Sequence, residues 1–326
     1  MRVLFWGTPE FGLPSLEAMR GAGHDIVGVV TNPDRPAGRG RRPRTSPVKA
    51  WALEAGVPVL QPERPGDEGF LVAARRLRPD ISVVAAYGRL LPQVALDLPP
   101  LGSLNVHASL LPALRGAAPI NWAIIRGHRE SGVSIQRMVA ELDAGPVLGQ
   151  TRIPIPAAMT AGELYAEAAK AGGARLVAVL GDLASGRAVE RAQDDARATW
   201  APKLDRETAR IDWSRPAAEV ANRLRGCDPW PAAWTSLAAP AALAGRTVQC
   251  FEPSVEGSPA GGGVADSAHS GVAPGTVVRA DPVRGLRIAT GSGTVAVGAV
   301  KPAGRRRMSA AAWVRGLPDP KEVRFD

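Results

Sequence analysis

Short apolar runs separated by stretches with helical spacing most constrain what this chain folds into. Val3 to Trp6 is a buried-strand run ending at Gly7-Thr-Pro9, Pro14 to Ala22 has helical spacing, and Ile26 to Thr31 is a second apolar strand, so the chain opens βαβ. Arg75-Arg76 lies late in the next helical stretch. Ile81 to Ala86 is a β-rich run entering Tyr87-Gly88, and Leu104 to Val106 and Val133 to Met138 supply later strands. Apolar strands alternating with helices predict an α/β domain with a mostly parallel sheet covered on both faces. Ligands of such sheets bind beyond the carboxyl ends of the strands.

The pattern changes further on. From residue 189 to 206 the chain, including Arg191-Ala-Gln-Asp-Asp-Ala-Arg197, is polar and aperiodic, which reads as a linker. A helical stretch near Ala217 to Arg225 breaks at Asp228-Pro-Trp-Pro231. Thr247 to Phe251, Gly275 to Arg279, Leu286 to Thr290 and Thr294 to Val300 are short β-prone runs with turns between, as in a small barrel or sandwich. Ser254 to Pro274, rich in Gly, Ser and Ala, is expected to be a mobile loop. The 326 residues, 45% hydrophobic, suit two ordinary domains, divided as 1–189, a linker at 190–206, and 207–326.

A net charge of +9 favours a polyanionic partner. The excess of Arg over Lys also fits a GC-rich genome, which would not account for the net charge. Cys227 and Cys250 form no CxxC or Cys/His cluster, and the four histidines (24, 107, 128 and 269) have no ligand spacing, so neither zinc, a disulfide framework nor another metal is expected. The start Met1-Arg-Val-Leu-Phe-Trp-Gly7 has no leader character, and no window offers the roughly 20 unbroken apolar residues of a membrane span, so the cytosol is the expected compartment.

The chemistry concentrates in Ser103-Leu-Asn-Val-His-Ala-Ser-Leu-Leu-Pro112 and Leu142-Asp-Ala-Gly145. Asn105 and His107 are two apart, so on an extended segment they leave the same face. An amide donor and an imidazole to stabilise an oxyanion, with the Asp143 carboxylate to manage a proton, form a set that can move an acyl group onto an amine. Each has a plainer reading: a lone histidine often caps a core, and Asp143 before Ala144-Gly145 is a good turn residue. For His107 the company of Asn105, Ala108 and Ser109 in one loop-like segment just after a strand favours chemistry. Ser109 lies near His107, but no G-x-S-x-G elbow is present. No P-loop or dinucleotide fingerprint occurs either. The segment Asn32-Pro-Asp-Arg-Pro-Ala-Gly-Arg-Gly-Arg-Arg-Pro-Arg44 reads equally as a solvated loop or as an arm that grips phosphates, and Arg305-Arg-Arg307 and Lys203 with Arg206 would extend such a surface.

Together these residues resemble the methionyl-tRNA formyltransferases, a family of folate-dependent formyltransferases. The resemblance rests on Gly7-Thr-Pro9, Pro33-Asp-Arg-Pro-Ala-Gly-Arg-Gly40, Ala86-Tyr-Gly88, Asn105-Val-His-Ala-Ser-Leu-Leu-Pro112, Arg115-Gly-Ala-Ala-Pro119 and Leu142-Asp143. Ala201-Pro-Lys203, Ile211-Asp-Trp213 and Pro229-Trp-Pro231 continue it in order through nearly the whole chain. It implies a Rossmann-like catalytic domain over 1–189 and an OB-like tRNA-binding barrel over 207–326. The implied reaction moves the formyl group of 10-formyltetrahydrofolate to the amino group of methionyl initiator tRNA, for translation initiation, with no metal; the composition adds a cytoplasmic chain away from membranes, and with nothing in the sequence calling for an obligate dimer a monomer is expected. The resemblance makes Asn105, His107 and Asp143 catalytic. It places Ser109, Leu110, Leu111 and Pro112 at the folate site, with Tyr87, Gly88, Arg89 and Leu90 framing the pterin through backbone groups. Arg39, Arg41, Arg42, Lys203 and Arg206 are implied to meet tRNA.

The chain departs from the family at Ala113 and Leu114, where arginine and an aromatic are usual, and at Pro146, where aspartate is common. These changes bear on how the tRNA end or the folate tail is held. Two other readings stand beside this one. A folate-dependent formyltransferase of a small amine, an amino sugar or glycinamide ribonucleotide, keeps the chemistry but leaves the arginine loop unexplained. An RNA-binding protein with a relic formyltransferase domain leaves the ordered polar trio unexplained.

Overall fold

Val3, Leu4, Phe5 and Trp6 are all fully buried, because the strand they form lies inside a sheet with a neighbour on each side. The computed structural model describes residues 1–37, 42–255, 271–281, 283, 285–317 and 319–326. The expected loop of 254–274 therefore falls mostly outside the described residues. The first half of the chain runs β1 (Arg2–Gly7), α1 (Leu13–Gly21), β2 (Asp25–Val30), β3 (Arg35–Ala37), β4 (Arg42–Arg44), α2 (Pro47–Glu54), β5 (Val59–Leu60) and α3 (Glu68–Arg76). It continues through β6 (Ile81–Ala85), α4 (Gln93–Leu96), β7 (Ser103–His107), α5 (Pro119–Ile125), β8 (Glu130–Arg137), β9 (Val147–Pro154) and α6 (Ala161–Ala184).

The chain divides into two compact units. The first holds Met1–Pro119, Glu130–Pro154 and Tyr165–Pro202. Its sheet has the order β5-β2-β1-β6-β7-β8-β9. From β5 to β7 every pair is parallel, as the alternation of strands and helices requires. The sheet is mixed, however, because β8 runs antiparallel to β7 and β9 antiparallel to β8. Strand β9 escapes sequence reading because it is a half-exposed edge with Gly149, Arg152 and Pro154 diluting its apolar pattern. Trp6 anchors the core, meeting Phe70 and Tyr87 edge-on at 5.4 Å and donating its indole N–H to Ser82 Oγ at 3.1 Å.

The second unit holds Ile120–Arg129, Ile155–Leu164 and Lys203–Asp326. It contains α7 (Ala217–Gly226), β10 (Trp234–Ala239), β11 (Thr247–Val255), β12 (Val277–Asp281), β13 (Gly285–Ala289), β14 (Thr294–Pro302), β15 (Met308–Ser309), α8 (Ala310–Arg315) and β16 (Arg324–Phe325). The sheet order is β12-β13-β14-β11-β10-β16, antiparallel throughout, with β15 beside β14. A bridge between Thr276 and Arg324 brings its two edges together. Trp213 explains the Ile-Asp-Trp motif: its ring stacks on Phe325 at 5.7 Å and its N–H reaches Thr235 Oγ1 at 3.1 Å. Asn121 donates to the Gly226 carbonyl and Arg225 to that of Met159, each at 2.8 Å, so the two inserted segments are bonded to or beside α7.

Candidate active site

Strand β7 presents Asn105 and His107 on one face, and β8 adds Gln136, the register partner of Asn105, to the same face. All three side chains turn to one carboxylate. Oδ1 of Asp143 accepts the Gln136 amide at 2.8 Å and the Asn105 amide at 3.4 Å, and lies 3.6 Å from His107 Nδ1. Oδ2 accepts the Gly116 backbone N–H at 2.9 Å. The His107 and Asp143 side chains are 6% and 9% exposed, so the carboxylate is held by protein donors with little help from water.

Asp143 arrives by an unexpected route. Because β8 is antiparallel, its carboxyl end lies beside Leu104 rather than beside His107. Asp143 therefore does not reach the site by simply following its strand; the loop after β8 folds back and carries it to Asn105 and to His107 at the carboxyl end of β7. Its backbone takes a left-handed φ of +53°, and a side chain at Gly145 would put Cβ 1.8 Å from the Arg137 carbonyl, so the Asp-Ala-Gly run suits this fold-back. Gln193 locks the loop, donating to the carbonyls of Asp143 and Gly145 at 2.8 and 2.7 Å. Its own oxygen accepts from Arg115 at 2.8 and 3.1 Å, and Arg115 also pairs with Asp195 at 2.6 Å. The stretch read as a linker thus contributes, through Gln193, to the first unit's site. Gln136 and Gln193 carry no signal in a single sequence, since a buried glutamine is recognisable only from what it contacts.

His107 is committed at both ring nitrogens. Nε2 lies 3.0 Å from the Leu114 carbonyl, which can only accept, so Nε2 carries a proton and Nδ1 is the ring nitrogen that faces Asp143. Leu114 holds this pose with a φ of +60°, its N–H bonded to Thr199 Oγ1 at 2.9 Å. The three departures all act through backbone here: Ala113 accepts the Ser109 hydroxyl at 2.6 Å, Leu114 holds His107, and the Pro146 carbonyl accepts Arg137 N–H at 2.9 Å.

The remaining candidates are placed as follows. Ser109 is buried with its hydroxyl spent on Ala113, Leu111 is buried, and Leu110 and Pro112 are half-buried beside it. Tyr87, buried, gives its carbonyl to the Asn32 amide at 2.8 Å. Gly88 has a φ of +79°, Arg89 donates to the Glu63 carbonyl at 2.6 Å, and Leu90 is 76% exposed. This segment follows β6, the parallel neighbour of β7. Arg39 and Arg41 lie outside the described residues. Arg42 opens β4, and the root of that hairpin is tied by Asp34, whose bond to Lys49 holds its carboxyl below the usual range. Lys203 and Arg206 belong to the second unit and are exposed. Among the described residues no group of three or more His, Cys, Asp or Glu is placed to hold a metal, and no helix is long and apolar enough to cross a membrane.

The profile of the formyl transferase family matches residues 1–180, and that of the formyl transferase C-terminal domain matches 203–318. A methionyl-tRNA formyltransferase of a Nocardioides species is 43% identical over 97% of this chain and 95% of its own. That of Thiobacillus denitrificans is 44% identical over 97% of this chain and 96% of its own. Among solved structures, a variant of HypX from Aquifex aeolicus shares the fold with a TM-score of 0.65 at 20% identity, over 98% of this chain. This chain spans about half of HypX, covering 49% of it.

Proposed function

The chain belongs to the formyl transferase family, and from that premise we propose that it moves the formyl group of 10-formyltetrahydrofolate onto the amino group of methionyl initiator tRNA. The observation that carries the chemistry is the gap between His107 Nδ1 and Asp143 Oδ1. An imidazole nitrogen and a carboxylate oxygen face each other across 3.6 Å in a nearly dry site, too far apart for a direct hydrogen bond, so a donor can enter between or beside them. A protonated amine is such a donor.

In this reading the amine gives a proton to the His107–Asp143 pair and attacks the formyl carbon. Negative charge develops on the formyl oxygen. Asn105 is the group to receive it, because its 3.4 Å bond to Asp143 is the longest on that carboxylate and the most readily redirected. Collapse breaks the bond from carbon to the folate nitrogen, which takes that proton back from His107, while the attacking nitrogen gives up its second proton to Asp143 and thence to water, leaving tetrahydrofolate, the formylated amine and one released proton. With Nε2 tied to Leu114, we assign His107 the part of acceptor first and donor second, through Nδ1. Gln136 and Gly116 are positioning groups for Asp143.

The folate is a substrate, and the exposed Leu90 beyond β6, with Gly88 before it, suits a flat pterin laid against apolar surface. We place Tyr87 to Leu90 and Ser109 to Pro112 at that site. The acceptor follows from the names of the relatives, with Arg39, Arg41, Arg42, Lys203 and Arg206 as its phosphate contacts. We assign the chemistry to 1–189, the linker to 190–206 and tRNA binding to an OB-like barrel at 207–326, in a cytoplasmic monomer acting away from membranes. The near-closure of the second sheet at Thr276 and Arg324 supports the barrel. Labelled 10-formyltetrahydrofolate offered with charged initiator tRNA, charged elongator tRNA and an amino-sugar nucleotide tests the acceptor. Label on initiator tRNA alone is expected; label on the sugar amine would overturn the assignment.

A further inference from the structure

The second unit carries a recess of about 440 Å³ on the outer face of its sheet. Trp234, Gln249 and Lys301 are direct cross-strand partners on β10, β11 and β14, so they share one face. Their neighbours Thr235, Val248, Cys250 and Val300 are buried, which puts the core on the other face and the recess on this one. Trp234 is fixed: its N–H bonds the Arg206 carbonyl at 2.7 Å, and the Arg206 guanidinium carbon lies 4.6 Å from its ring centre. Trp230 forms the opposite kind of wall. It is 63% exposed, a large rigid ring left open at the rim of a recess.

The charges around the recess have one sign to spare. Lys301 is exposed and forms no ion pair with another described residue, and Arg206 is stacked on Trp234 rather than paired with a carboxylate. The acid lining the recess, Asp205, is already bonded to the N–H and hydroxyl of Thr208, both at 2.7 Å. An exposed aromatic ring, two cations and a glutamine amide form the equipment that receives a base and its phosphate.

We infer that this recess is a binding site for an unpaired nucleotide of RNA, its base stacked on Trp230, its edge toward Gln249 and its phosphate on Lys301 and Arg206. The inference rests on the reading that the acceptor is an RNA; it makes Arg206, already assigned a phosphate contact, part of a site that takes an unpaired nucleotide. The test uses the full chain, a labelled single-stranded adenosine octamer, a hairpin of equal charge with its nucleotides paired, and free adenosine monophosphate. Trp230→Ala is expected to weaken the octamer by on the order of tenfold while the paired hairpin is unaffected, and Trp230→Phe to restore most of the loss. Lys301→Ala is expected to weaken the octamer and flatten its salt dependence by about one phosphate contact. Equal losses on octamer and hairpin, or wild-type octamer binding in both alanine variants, would overturn the site. Free adenosine monophosphate binding as tightly as the octamer would also overturn it, pointing to a free nucleotide. These readouts need no formyl transfer, so failure of the acceptor assignment and failure of the recess are told apart.

Discussion

Gln136 donates its amide hydrogen to Oδ1 of Asp143 at 2.8 Å, while its own oxygen takes a longer bond, 3.4 Å, from Gln193. Gln136 is 2% exposed, so it sits behind the carboxylate, away from any substrate path through bulk water. Its role is to fix where Asp143 faces.

Gln136→Met should therefore lower kcat on the order of tenfold to a hundredfold with little change in KM for either substrate, since the bond is worth about 1–3 kcal/mol to a buried carboxylate. Steady-state kinetics with each substrate varied in turn checks this. A raised KM with unchanged kcat would move Gln136 from positioning to binding.

Gly145→Ala places a methyl group where only 1.8 Å separates it from the Arg137 carbonyl. The loop must shift, taking Asp143 off Asn105. We predict a protein that folds with a lower melting temperature and has lost most transfer activity; a variant with wild-type activity would show that the fold-back of this loop is not needed.

Arg41→Ala with Arg42→Ala should raise the apparent KM for tRNA and reduce the slope of log affinity against log salt by roughly two contacts, because each arginine is read as neutralising about one phosphate. Binding measured over a salt series decides between phosphate grip and solvated loop. An unchanged slope would favour the solvated loop.

What the sequence revealed depended on how local each signal was. Most of the parallel half of the first sheet was legible because its strands are apolar on both faces, and α7 because its apolar residues keep one stripe; β5, two half-buried residues, is too short to show a pattern. The reversal at β8 was not, since strand direction depends on what lies between strands and on pairing, neither of which leaves a mark on Glu130–Arg137 itself. Asn105 and His107 could be paired from their spacing in β7. The convergence of Asp143 on them, across 38 residues in the case of Asn105, could only be suspected, and the roles of Gln136, Gln193 and the Leu114 carbonyl emerged from contact alone. Strand β10 was missed because Trp234–Ala239 follows the prolines of Asp228–Pro231 and is half-exposed on one face.

Burial pushes both thiols, Cys227 and Cys250, up to about 12, from an ordinary value near 9. Neither is expected to react with a thiol reagent at pH 8 until the chain is unfolded. Above pH 9 the unfolded chain has lost these protons and the folded chain keeps them, so the stabilisation is complete below that value and is lost as pH rises toward 12, at ~1.4 kcal/mol per pH unit for each thiol. Denaturant midpoints between pH 8 and 10.5 should fall less steeply in Cys227→Ser with Cys250→Ala than in the parent; equal slopes would contradict the assignment.

The most direct test of the central claim is single-turnover transfer of labelled formyl by Asp143→Ala, with 10-formyltetrahydrofolate and charged initiator tRNA both saturating. If the carboxylate and His107 together accept the amine proton, the rate falls by on the order of a hundredfold or more while both substrates still bind, a loss of ~3 kcal/mol in the barrier. A near-wild-type rate would contradict the account, because Asp143 would then be a turn residue and nothing more.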